Sequence, residues 1–145
     1  MYQHILIPTD GSALSEMAVR HGMALAKAVG AKVTVLTASL PFRSLAIDPV
    51  MVTDTPERYQ QDCEALAEKA LGTARTEAGV AGVPCETLHV SQAQPYRAIV
   101  ETAQERGCDL ICMASHGRKG LSAFVLGSET YTVLTHSKIP VLVCR

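Results

Sequence analysis

The feature that most constrains this chain is a repeated alternation: short aliphatic runs, each closed by turn residues, separated by stretches whose apolar positions recur at helical spacing. His4 to Pro8 and Lys32 to Ala38 are the first two runs. Each is short and rich in β-branched or aliphatic side chains, which is the pattern of a strand buried on both faces. Between them Leu14, Met17, Ala18, His21, Leu25 and Ala28 recur as one helical face, and Gly30 stands where a helix would stop. From Glu57 to about Val80, Cys63, Leu66, Ala67, Ala70, Ala74 and Ala78 predict a long helix closed by Gly79 and Gly82. Cys85 to Val90 reads as a third strand. Pro95 suits the first turn of the next helix, because its fixed φ fits and its missing donor costs nothing there. Tyr96, Ile99, Val100 and Ala103 give that helix its buried face, and Gly107 ends it. Asp109 to Ala114 predicts a fourth strand, Ser128 to about His136 a short helix, and Pro140 to Cys144 a fifth strand. Strands alternating with helices in this way specify an α/β fold: a single open parallel sheet with helices on both faces and right-handed crossovers.

Length and charge narrow the possibilities further. With 145 residues the chain holds one core, and we expect one domain spanning 1–145. Apolar residues make up 48% and charged residues 19%, far from the composition of a disordered chain. A formal net charge of −1 provides no broad basic field, which argues against nucleic acid as a partner, so any anion must be held locally. No stretch reaches the ~20 apolar residues of a membrane helix, and Met1 to His4 leads straight into a strand, so we expect a cytoplasmic protein without membrane partners. The five cysteines form no disulfide framework and no CxxC. Cys108 and Cys112, four apart within a predicted strand whose side chains alternate faces, are read as core residues before metal ligands. Residues 39–55, with Pro41 and Pro49 and no clean period, read as a functional flap.

Two loops concentrate Gly, Ser, Thr and Asp directly after buried strands: Pro8-Thr9-Asp10-Gly11-Ser12 and Ala114-Ser115-His116-Gly117. Ligands of open α/β sheets bind outside the carboxyl ends of the strands, where strand order reverses, so neighbouring first and fourth strands would bring these loops face to face. The second loop continues through Arg118-Lys119 to Gly127-Ser128, the start of a helix whose unpaired N–H groups and positive dipole end suit an anion. The Ser128 hydroxyl adds a donor, Gly117 and Gly127 let a phosphate approach, and Arg118 or Lys119 supplies positive charge. Taken singly, Gly-Ser before a helix is more often only an N-cap, and Asp-Gly-Ser only a turn. Their convergence on one edge is what points to a ligand. Neither the P-loop nor the dinucleotide fingerprint is present. His116 follows Ser115, but sequence neighbours rarely aim at each other, and neither a nucleophile elbow nor a partnered acid is visible. His116 is therefore read as loop structure or a ligand contact.

These residues together resemble the universal stress protein family over essentially the whole chain. Ile5-Leu6-Ile7-Pro8-Thr9-Asp10-Gly11-Ser12 is similar to the family's first strand and turn. Met113 to Gly117, followed nine residues on by Gly127-Ser128, resembles its nucleotide signature, G-x2-G-x9-G-S/T, and Ile139 to Val143 matches its last strand. The resemblance implies an adenine-nucleotide α-hydrolase-like sheet of order 3-2-1-4-5 and homodimers formed by pairing the last strands, here Val141, Leu142 and Val143. For one of the family's two branches it implies bound ATP, with or without Mg²⁺. By position, Pro8, Thr9, Asp10, Thr37, Ala38 and Met113 would line the adenosine side. Ser115, His116, Gly117, Arg118, Gly127, Ser128 and the backbone of Glu129 would surround the phosphates. Ala114 departs from the signature's first glycine, and a methyl there fits only if φ is negative. The segment Ser91 to Pro95 also lacks the glycine usual before that helix. Three functions compete: an ATP-binding stress-response and signalling module, a nucleotide-free dimeric interaction module, and a slow ATP hydrolase in which Asp10 and Mg²⁺ activate water. No committed general base is visible for the third.

Overall fold

The computed structural model describes residues 1–42, 55–117 and 126–145. In chain order they form β1 (His4–Pro8), α1 (Ala13–Val29), β2 (Lys32–Ser39), α2 (Pro56–Ala81), β3 (Cys85–Ser91), α3 (Pro95–Glu105), β4 (Leu110–Ala114), α4 (Ser128–His136) and β5 (Val141–Cys144). The strands make one sheet in the order β3-β2-β1-β4-β5, all pairs parallel; the parallel sheet is what the spacing leads one to expect, and the order is what the resemblance implies. Of the expected flap, residues 43–54 lie outside the described residues, as does Arg118.

Side chains alternate across each strand, so the sheet separates two cores. Ile5, Ile7, Val33, Val35, Leu110 and Cys112 pack beneath α1 and α2, with Leu71, Ala74 and Ala78 closing that side. Leu6, Leu36, Ile111 and Met113 pack on the other side against Ala98, Ile99 and Ala103 of α3 and Val133 of α4. Local signals set the helix limits. Ser12 caps α1 by accepting from the Ser15 N–H, and Gly30 ends it at φ 73°. Thr55 and Pro56 start α2, and Gly82 ends it at φ 71°, a left-handed conformation that a side chain rarely adopts.

The buried face of α1 is not the one the apolar spacing predicts. Ser15, Ala18, Val19, Gly22, Met23 and Ala26 face the sheet, Leu14, Met17 and Leu25 pack at its border, and His21 and Ala28 are exposed. The reason is close approach. A Cβ at Gly22 would lie 2.3 Å from Ile7 Cδ1 and 3.1 Å from Cγ1, so the helix approaches the sheet most closely at Gly22, flanked by the buried Val19 and Met23, and Leu14, Met17 and Leu25 fall at the edges. In α2 the alanines at 67, 70, 74 and 78 are buried as expected, but Leu71 joins them while Leu66 is 53% exposed. Gly79 lies within α2 and does not close it. Cys108 precedes β4 and packs in the α3/α4 core, whereas Cys112 belongs to the α1/α2 core, so these two thiols lie on opposite sides of the sheet. Among the described residues no cluster of three or more His, Cys, Asp or Glu could hold a metal ion, and no helix is long and apolar enough to cross a membrane.

Candidate functional site

β1 and β4 are hydrogen-bonded neighbours, with Ile5 opposite Leu110 and Leu6 opposite Ile111, and their carboxyl-end turns meet. The contact is tight: a Cβ on Gly117 would lie 2.5 Å from Asp10 Oδ2. The first turn is held internally. The Ser12 N–H donates to Asp10 Oδ1 at 2.9 Å, Gly11 N–H to Thr9 Oγ1 at 3.2 Å, and Thr9 Oγ1 lies 3.0 Å from Ser15 Oγ. The Thr37 hydroxyl donates to the Thr9 carbonyl at 2.8 Å, tying β2 to the same turn. Thr9 and Thr37 are buried and their hydroxyls bond within the protein, so both shape the rim rather than present a hydroxyl to solvent. Pro8, Ala38 and Met113 lie on the α3/α4 side of the sheet, Met113 and Ala38 packing with that core and Pro8 following from strand alternation. They form an apolar floor beside the two turns.

Ala114 belongs to the opposite face, where it packs in the α1/α2 core at 7% exposure. Among the described residues φ is positive only at glycines, so Ala114 has the ordinary strand geometry its methyl requires. Alanine in place of the signature's first glycine therefore leaves the α3/α4 side of the rim unobstructed.

The second loop is fastened by contacts of its own. The Gly127 N–H donates to the Ser115 carbonyl at 2.7 Å, and a Cβ there would sit 3.0 Å from both His116 Cα and Ser115 O. A side chain at 127 would crowd the Ser115–His116 backbone, so the protein's own packing favours glycine there. Ser115 and His116, expected to point apart, instead bring Oγ and Nδ1 to 3.2 Å. This local contact joins a buried serine to a half-buried ring, and among the described residues no carboxylate bonds His116 to complete a catalytic relay.

What remains at the rim is the head of α4. Gly127 is its N-cap and contributes no capping side chain, so the first-turn amides at Ser128, Glu129 and Thr130 have no intrahelical acceptor. The turn is fastened by the Gly127 bond and by the Thr130 hydroxyl, which donates to the Ala114 carbonyl at 2.9 Å. Ser128 is exposed at the mouth. The Glu129 carboxylate turns toward α3 and accepts from the Tyr96 N–H at 3.0 Å, leaving only the Glu129 backbone toward the rim. Ser15, Thr130 and the Glu129 side chain escape a search for ligand contacts because they brace the site. The sequence signal for such braces is a hydroxyl or acid within the first turn of a helix that follows a strand. A cleft of ≈ 240 Å³, lined by His4, Lys32, Thr34, Cys85 and Glu86, opens at the amino-terminal ends of the strands. It is remote from these turns; the residues singled out from the sequence meet instead at the carboxyl edge, beside the reversal of strand order.

A five-stranded parallel sheet in this order, with two turns meeting at the reversal and a helix N-terminus above them, defines an α/β domain of the adenine-nucleotide α-hydrolase-like fold. Comparison with known proteins gives the particular group: the chain belongs to the universal stress protein family, whose model matches residues 1–145. A universal stress protein of Methanocaldococcus jannaschii, MJ0531, is 30% identical over 148 residues, covering 100% of this chain and 83% of that protein. The solved structure of MJ0577, a universal stress protein of the same organism, superposes with a TM-score of 0.82 at 28% identity, covering 99% and 96% of the two chains. A universal stress protein crystallised in complex with cAMP matches with a TM-score of 0.69 at 28% identity, over 99% and 97% of the chains.

Proposed function

We propose that this chain is an adenine-nucleotide-binding universal stress protein that takes ATP, with Mg²⁺ as counter-ion, and acts in stress signalling as a homodimer. The observation that carries this reading is the head of α4, its first turn fastened to Ser115 and Ala114 so that amides at 128–130 crown the junction of the Asp10 and Gly117 turns. Oriented amides at a helix start favour negative charge through both hydrogen bonding and the dipole. The backbones of Gly117, Ser128 and Glu129, the Ser128 hydroxyl and Arg118 hold the phosphates, with Ser115 and His116 forming the turn beneath. Pro8, Ala38 and Met113 receive the adenine and ribose, with Thr9 and Thr37 bracing that wall. Asp10 is a carboxylate beside this anion site, and a Mg²⁺ ion arriving with the nucleotide would offset its repulsion of the phosphates. The related cAMP complex supports adenine as the base. The nucleotide-free alternative rested on Ala114 alone, and a methyl facing the α1/α2 core gives it no support.

Calorimetric titration of apo protein with ATP and Mg²⁺ tests this. We expect saturable heat and slowed amide exchange at residues 115–117 and 128–130. No heat and no protection at millimolar ATP overturns the reading.

A further inference from the structure

Cys112 and Cys144 lie side by side, Sγ to Sγ 3.8 Å, in the α1/α2 core. One is in the middle of β4 and the other ends β5, at 0% and 8% exposure. Nothing in the nucleotide reading uses them. In the register of the two strands Cys112 is opposite Leu142 and Ala114 is opposite Cys144, so the thiols are diagonal neighbours. With strands about 4.8 Å apart and a rise of about 3.3 Å per residue, diagonal Cα atoms of a parallel pair lie roughly 8 Å apart, beyond the ~7 Å that a disulfide spans without backbone movement. A bridge also needs the sulfurs to close to about 2.05 Å. Its formation must therefore draw β5 along β4. β5, with four residues, is the shortest strand of the described sheet, so it has the fewest ladder bonds to give up in moving.

The backbone of Cys144 reaches the proposed site in two steps. Its carbonyl accepts the Ser115 N–H at 2.7 Å, and the Ser115 carbonyl in turn accepts the Gly127 N–H at 2.7 Å. A displaced Cys144 pulls on the first bond, and through it on the turn that seats α4.

We propose that Cys112 and Cys144 form an oxidisable dithiol whose closure to a disulfide shifts β5 and loosens the Ser115–Gly127 turn. With a peroxide as oxidant, the Cys144 sulfur attacks one peroxide oxygen, the O–O bond breaks, and water leaves a sulfenic acid. The Cys112 sulfur then attacks the Cys144 sulfur, the S–O bond breaks, and hydroxide departs with the Cys112 proton as a second water. Two thiols have lost two electrons and two protons, and one peroxide has become two waters. Burial and the neighbouring Cys144 hold the Cys112 thiol well above the usual thiol range, so it serves as the second, resolving partner after strand opening.

The test treats the full chain with hydrogen peroxide, alkylates the remaining thiols, and maps peptides by mass, while amide exchange is followed by NMR without nucleotide. We expect a loss of 2 Da, a cross-linked peptide joining Cys112 and Cys144, and at least threefold faster exchange at the Ser115 and Gly127 amides, all reversed by reductant. The single variants Cys112→Ser and Cys144→Ser should each abolish both changes. Should a variant fail to fold, the wild-type peptide map and its reversal by reductant still decide the matter. Free thiols at both positions, or cross-links confined to Cys63, Cys85 or Cys108, overturn the dithiol. A bridge with unchanged exchange at Ser115 and Gly127 overturns the coupling. Both readouts stand whether or not the rim binds a nucleotide.

Discussion

His4 shows how one side chain sets a condition on the whole fold. Its Nε2 lies 2.7 Å from the Thr34 hydroxyl, and the ring is buried at the amino-terminal edge. Burial, with the Lys32 charge, lowers its pKa below the usual 6.5, and these outweigh the opposing pull of the Arg106 backbone, Asp109 and Glu86. The folded state thus binds this proton less readily than the unfolded chain. The contribution of His4 to stability is complete above pH 6.5 and declines as pH falls from there toward the lowered folded value. Asp109 adds a similar loss at lower pH: burial raises its pKa, but bonds from the Gln3 and His4 amides overcome this and bring it below 3.8. Thermal melts from pH 7.5 to 5 should show a falling Tm in wild type and a flatter slope in His4→Gln. Equal slopes in the two would remove His4 as the cause. Little of this was legible beforehand, since an isolated histidine opening an apolar run gives no sign of which partner strand will meet it. Thr9 and Thr37 were hidden likewise: the sequence marks them as polar at a strand end, and only the register of β1 on β2 turns Thr37 toward the Thr9 carbonyl.

Among elements, α1 and α2 show where periodic patterns succeed and where they mislead. The limits of α4 and the glycine stops at Gly30, Gly82 and Gly107 were readable because capping depends on nearest neighbours. The facing of α1 was not, because it depends on what lies across the interface. Gly22 against Ile7 fixes that helix at close range, and small residues count for more there than bulky ones. Gly22→Ala should accordingly destabilise the protein. Ile7 is fully buried, and overpacking costs about 1–3 kcal/mol, against about 1 kcal/mol recovered from helix preference. Denaturant unfolding should give a net loss on the order of 1 kcal/mol; an increase in stability would show that α1 can rise off the sheet without penalty.

At the scale of the molecule, the layer arrangement followed from the alternation of elements, and the strand order from the family resemblance. The edges carry the remaining questions. β5 has β4 on one side, and Leu142 is 42% exposed on the α1/α2 face, while on the other face α4 leaves Tyr131 62% and Leu134 41% exposed. An edge of this kind seeks a second strand, consistent with the proposed homodimer. Leu142→Lys, which places a charge on that edge, should shift a wild-type dimer to monomer in light scattering at micromolar concentration. A wild-type monomer would contradict the assembly outright. The anchoring of α4 at Gly127 and Thr130 has a further effect. A receptor whose donors are already aimed gives up little freedom on capture. For the proposed nucleotide site this means that the amides at 128–130 need little reordering when an anion arrives.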